Sequence, residues 1–265
     1  MTRRLPLFAL ALSLALSLFA ACGVTPGQPA TAELFLAHST GTFTTSLGWR
    51  VTLREARLVI GSLYLYAPEG DTMARLAPWD LPGLGVSVAQ AHGGVDPFGS
   101  RQVRLEWLGP ESLDLLATEP TALGAMDGSV GPSTDATLAF ETLAGELASA
   151  TAPNHGHHAW IAGTASRTVE GVAESLAFEG GLDVAIGGTE NLIEAIASDA
   201  EVVSSGRWTL GVDVARWLDA AHFERLAGDT DPRTLTPTSQ PSIAWNLGLR
   251  DPMTIHLSYA PTLAD

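Results

Sequence analysis

The stretch Gly48-Trp49-Arg50-Val51-Thr52-Leu53-Arg54-Glu55-Ala56-Arg57-Leu58-Val59-Ile60-Gly61-Ser62-Leu63-Tyr64-Leu65-Tyr66 is the longest β-type run in the chain. Its alternation changes parity midway. Trp49, Val51 and Leu53 share one face, whereas Ala56, Leu58 and Ile60 share the other parity. Side chains alternate with period two along a strand, so a parity change signals one extra residue, and a β-bulge or bend is expected near Arg54 and Glu55. Such a bend is how a strand passes between the sheets of a sandwich.

Outward from this run, short alternating segments recur: Val103, Leu105 and Trp107; Leu138 and Phe140; residues 157–165; Leu176 and Phe178; Leu182, Val184 and Ile186. Later come Trp208, Leu210, Val212 and Val214, and then residues 243–249 and 254–259. The punctuation between them, Pro82-Gly83, Gly93-Gly94, Gly180-Gly181 and Gly187-Gly188, fits antiparallel turns better than helical crossovers. Residues 215–226 carry Trp217, Leu218, Phe223 and Leu226 at spacings that suit one or two helical turns, with Asp213 placed to cap them. The expected fold class is all-β: an antiparallel β-sandwich with small helical excursions.

The chain opens with Arg3 and Arg4 before an apolar run from Leu5 to Phe19, the pattern of an export signal. The run is shorter than the roughly 20 apolar residues of a membrane span. The only cysteine, Cys22, directly follows Leu18-Phe19-Ala20-Ala21, which resembles a bacterial lipobox, whose cysteine is lipidated and becomes the mature N-terminus. Residues 23–33 are mostly Gly, Pro, Thr and Ala, a composition that buries no core. The expected organisation is a lipoprotein signal peptide over 1–21, a flexible tether over 22–33 and a single β-sandwich domain over 34–265. About 230 residues is within the reach of one large all-β unit.

The formal charge is −15 and no lysine occurs. An acidic surface repels phosphate backbones, so nucleic acid is not an expected partner, while cations and basic partners are favoured. The missing lysine removes Schiff-base chemistry and a phosphate-loop lysine, and no Gly-x-Ser-x-Gly elbow or His-Glu-x-x-His pattern occurs. With the one thiol read as acylated, cysteine nucleophile chemistry is removed as well. No catalytic residue is assigned, and the expected protein is not an enzyme.

Chemistry then rests on the seven histidines. Three crowd into Asn154-His155-Gly156-His157-His158, a turn leading into a strand, where imidazoles can point at one ion without much ordering. His92 stands in Ala91-His92-Gly93-Gly94-Val95-Asp96, where Asp96 is a candidate ligand or hydrogen-bond acceptor. The candidate metal ligands are His92, His155, His157 and His158. Strand alternation from residue 157 puts His158 with Trp160 on one face and His157 with Ile161 on the other, so one of the pair joins a compact site with His92, and His157 is preferred, assisted by His155. His38 ends the first strand and either approaches the cluster or is a strand-end histidine; His222 and His256 read as structural. Imidazoles without thiolate suit copper or zinc.

Gly48 to Leu58, the His-Gly loop, Gly156 to Ala165 and the Leu-x-Val-Asp-x-x-x-Trp-Leu segment from Leu210 to Leu218 together resemble uncharacterised bacterial surface lipoproteins. More distantly, the last segment is similar to periplasmic copper-binding proteins associated with methanobactin operons. That likeness implies a β-sandwich and a copper site of two histidines and a modified tryptophan. The Trp-x-His arrangement of that group is absent; His158-Ala159-Trp160 reverses it. Gly23, and not aspartate, follows Cys22, which by resemblance to lipoprotein sorting implies the outer membrane. The expected partners are the membrane through the N-terminal lipid, a transition-metal ion, and another envelope protein.

Overall fold

The structure is a computed structural model that describes residues 28–69, 101–186 and 191–262. Its axis is the long strand anticipated from residues 48–66. Strands run in chain order as β1 (Pro29–Leu36), β2 (Thr42–Thr44), β3 (Arg50–Tyr66), β4 (Val103–Asp114), β5 (Thr121–Ser129) and β6 (Gly131–Ala139). They continue as β7 (Ala159–Val169), β8 (Val172–Leu182), β9 (Leu192–Val202), β10 (Ser205–Val212), β11 (Arg233–Thr234) and β12 (Ile255–Pro261). Among the described residues two α-helices, α1 (Val214–Leu218) and α2 (Gln240–Leu249), accompany them.

The bulge lies where the parity change put it. Leu53 pairs with Gly163 of β7 and Glu55 with Ala162, leaving Arg54 as the extra residue. Before it, Val51 and Leu53 are buried between exposed Thr52 and Arg54; from Leu58 onward every residue through Ala67 is buried. The first half of β3 therefore has one wet face and the second half has both faces covered. The neighbours follow this division. β7 flanks the first half from Arg50 to Leu58, and β6 flanks the second from Ser62 to Tyr66.

These pairings make one branched, mixed sheet with the path β11-β8-β7-β3-β4-β5-β1-β10-β12 and a branch from β3 through β6 to β9. The all-β class holds. The expectation of uniformly antiparallel pairing does not, because β1 runs parallel to β10 and β11 parallel to β8. Parallel neighbours need long connections, and residues 37–204 provide one between β1 and β10. β9 comes back against β12, enclosing a core in which Trp49, Trp208, Trp217 and Trp245 are fully buried.

Four further sequence expectations change. β1 starts at Pro29, inside the stretch read as tether: Ala30, Ala32, Leu34 and Leu36 are buried in alternation, and alanine is too small to announce that pattern in a Thr/Pro context. Gly180-Gly181 lies within β8 and is not a turn. A Cβ at Gly180 would come 2.6 Å from Leu235 Cβ, and one at Gly181 would come 2.1 Å from the His157 ring, so the pair admits close approach of two neighbours. Residues 183–186 then leave the strand, although Val184 and Ile186 alternate with Leu182.

The segment expected as a strand over 243–249 is α2. Ile243, Trp245, Leu247 and Leu249 alternate, but spacing of four is common to strand and helix periods. The helix buries Trp245 and Leu249 and exposes Ile243 and Leu247. Ser239 caps it by accepting from the Ser242 N–H at 3.4 Å, and Pro241 occupies its first turn. Asp213 caps α1 as anticipated, accepting from the Ala215 N–H at 3.1 Å. Among the described residues, no helix is long and apolar enough to cross a membrane.

Candidate metal centre

Residues 150–158 enter β7 through a tight turn at Asn154-His155-Gly156-His157. His155 has φ 52° and Gly156 φ 77°, and the His157 N–H donates to the Asn154 carbonyl at 3.0 Å. Positive φ at both central residues is the type I′ signature, which favours glycine and tolerates few side chains. The buried Asn154 side chain fixes the turn, its Nδ2 donating to Leu147 O at 2.8 Å and His157 O at 2.9 Å. Sequence reasoning saw three histidines here; the turn decides where each one goes.

His155 and His157 both come to Trp160. The His155 ring stacks on the indole at 4.1 Å between centroids with planes 27° apart, and His157 at 5.9 Å and 15°. Trp160 pairs with Gly181 across β7 and β8, and the missing side chain of Gly181 is the space the His157 ring fills. Each imidazole has a carboxylate on one nitrogen: His155 Nε2 lies 3.4 Å from Glu55 Oε2, and His157 Nδ1 lies 3.1 Å from Asp183 Oδ2. Glu55 Oε2 also accepts the Trp160 indole N–H at 3.1 Å, joining the bulge of β3 to the cluster.

His158 goes the other way. It is buried, its Nδ1 accepts the Val184 N–H at 3.3 Å, and its Nε2 lies 3.0 Å from the Glu141 carbonyl. Backbone groups engage both ring nitrogens, so this side chain packs β7 against residues 141 and 184 and is not arranged to ligate. Regular alternation from residue 157 put His158 with Trp160. The strand starts at Ala159 instead, and the turn before it places His157 beside Trp160. His92, Asp96 and Cys22 lie outside the described residues. His222, read as structural, holds Nδ1 at 2.8 Å from Glu224 Oε1.

The donor types fit a transition metal. A carboxylate on one imidazole nitrogen is the usual way a ligating histidine is oriented, and it leaves Nδ1 of His155 and Nε2 of His157 as the nitrogens without a hydrogen-bond partner among the described residues. Among those residues no group of three or more His, Cys, Asp or Glu side chains converges to hold an ion. Two imidazoles without thiolate suit copper or zinc. Trp160, Glu55 and Asp183 were not singled out from sequence. Glu55 sits at the anticipated bulge, the one signal that pointed toward it.

Comparison with known protein families and with curated proteins finds no match to this chain. Among solved structures, MbnP from Methylosinus trichosporium is similar at a TM-score of 0.39 and 11% identity, over 88% of this chain and 99% of that one. The likeness is distant.

Proposed function

We propose that this is a cell-envelope protein, lipid-anchored through Cys22, that binds a copper ion through His155 and His157 beside Trp160, for capture or storage and not for turnover. The observation carrying this reading is two imidazoles laid on one indole, each held by its own carboxylate. Bound copper would supply a Lewis-acid and redox-active centre. The chain's own residues do the rest: Glu55 and Asp183 orient the rings, the Asn154-stapled turn limits their motion, and the acidic surface raises the local cation concentration. Calorimetric titration of the metal-free full chain with copper is expected to show a saturable step that is weakened at least tenfold by His155→Ala or His157→Ala and lost in the double variant. Binding unchanged in the double variant would overturn the reading.

The anchor has its own test. Cys22→Ser expressed in a diderm host is expected to lose fatty-acid labelling and to move from the membrane fraction to the soluble one, since two acyl chains hold where one is marginal. A wild-type chain that takes up no labelled fatty acid, with a mutant still bound to membranes, refutes it. Fractionation of the same material tests the outer membrane as destination.

A second reading, an interaction module presenting a surface to another envelope protein, is favoured by α2. This helix has no charged residue, and it exposes Ile243 and Leu247, with Met253 close behind in sequence. Elemental analysis of the native protein, purified without an affinity tag, separates the two readings: stoichiometric copper supports the first, and metal-free protein the second.

A further inference from the structure

Four of the described histidines are committed: His155 and His157 to carboxylates and Trp160, His158 to backbone, His222 to Glu224. His38 and His256 make no hydrogen bond, ion pair or ring contact among the described residues. Although far apart in sequence, they line one open cleft of about 230 Å³ together with Ser39, Gly211 and Asp213. We infer that this cleft is a second metal site, which takes one divalent transition-metal ion through the imidazoles of His38 and His256.

The topology brings the two residues to one cleft. β1 and β10 run parallel with Leu36 opposite Leu210, so His38 leaves β1 just past Gly211. β12 runs antiparallel on the other side of β10, with His256 directly opposite Gly211. Gly211, which has no side chain, lines this trough together with His38 and His256. The Ser39 hydroxyl donates to the Val212 carbonyl, which ties the chain after His38 to the end of β10 and limits how far that ring can swing.

The chemistry selects a cation. Asp213 lines the same cleft, and its carboxylate is engaged as the α1 cap and lies 3.4 Å from Arg216 Nε. It sets a negative field there while leaving the imidazoles as the donors, a set that suits zinc, copper or nickel over magnesium or calcium. Two protein nitrogens with water completing the coordination give an open site. This centre shares no residue with the His155–His157 cluster and stands or falls independently of it.

Calorimetric titration of the metal-free full chain with zinc tests the assignment. One zinc per chain is expected to bind with an affinity reduced at least tenfold by His38→Ala and by His256→Ala, and to be lost in the double variant. His155→Ala with His157→Ala is expected to leave that step in place. Gly211→Leu provides a variant that keeps both imidazoles: a Cβ at Gly211 meets nothing nearer than 3.6 Å, so the backbone accepts it while the branched side chain fills the trough, and zinc affinity is expected to fall about tenfold. Circular dichroism confirms folding of each variant. A zinc isotherm unchanged by the His38/His256 double substitution overturns the site, as does zinc binding that disappears only with His155 and His157.

Discussion

Arg104→Ala is expected to lower the unfolding free energy by about 4 kcal/mol or more. Arg104 is fully buried, and its guanidinium donates, among other contacts, Nε to Pro132 O at 3.2 Å, and Nη1 to Val130 O at 2.9 Å and Ser129 Oγ at 3.3 Å. Truncation leaves buried acceptors unpaired at about 1–3 kcal/mol each and opens a cavity besides. Arg104→Met keeps much of the volume but restores no donor, so it should recover only the cavity part. Gly131 belongs to the same arrangement. Its φ of 131° is one that L side chains rarely adopt, and a Cβ there would meet Arg104 Cζ at 2.9 Å. Urea unfolding at neutral pH measures both arginine variants; a loss below about 1 kcal/mol for Arg104→Ala would show that water replaces the guanidinium. Against a typical total stability of 5–15 kcal/mol, the expected loss separates a folded protein from a marginal one.

Arg104 also shows where the sequence was readable. Val103, Leu105 and Trp107 alternate, which locates β4 correctly and marks Arg104 as outward-facing. The pairing Leu65 with Leu105 and then Tyr66 with Val103 carries a register shift, and Arg104 occupies the irregular position. A bulge on β3 was visible because large apolar residues stand on both sides of it. The bulge on β4 was not, because a single arginine between apolar residues is also the normal pattern of a half-wet strand.

The candidate site divides in the same way. Local crowding of His155, His157 and His158 points to the turn, and of His157 and His158 it is His157 that keeps a ring nitrogen without a hydrogen-bond partner among the described residues. The alternation expected from residue 157 does not extend through this turn, whose positive φ at His155 and Gly156 breaks it. Trp160, Glu55 and Asp183 reach the cluster through pairing of β3, β7 and β8, and His38 and His256 come to line one cleft through the order β1-β10-β12. Neither juxtaposition has a local signature; each depends on which strands become neighbours. α2 was misread because period two and period four coincide over seven residues, and burial of Trp245 and Leu249 against α1 decided between them.

Trp49→Ala is expected to cost about 3–5 kcal/mol, the range for truncating a large buried aromatic side chain. Trp49 begins the run that organises the fold and is 1% exposed. Its ring meets Phe223 edge-on at 5.6 Å, the Arg167 guanidinium sits 4.3 Å above it, and its indole N–H donates to Glu224 Oε2 at 3.3 Å. One side chain thus fastens the start of β3 to β7 and to the Phe223–Arg225 turn. Trp49→Phe keeps most of the packing and removes the hydrogen bond, for a loss of about 1 kcal/mol. Its pH dependence is the sharper test. Burial raises the Glu224 pKa, but hydrogen bonds from His222, from its own backbone and from Trp49, with the charge of Arg167, outweigh that and leave it below the ordinary value. A carboxylate whose pKa is lowered by folding contributes stability that is complete above its unfolded pKa and is lost as pH falls through the folded one. The Trp49 hydrogen bond serves the ionised form, so the gap between wild type and Trp49→Phe should be widest at neutral pH and narrow as the medium becomes acidic enough to protonate Glu224. Unfolding curves for both proteins at pH 7 and pH 3 give the comparison, and a gap that stays constant would mean that the indole acts through packing alone.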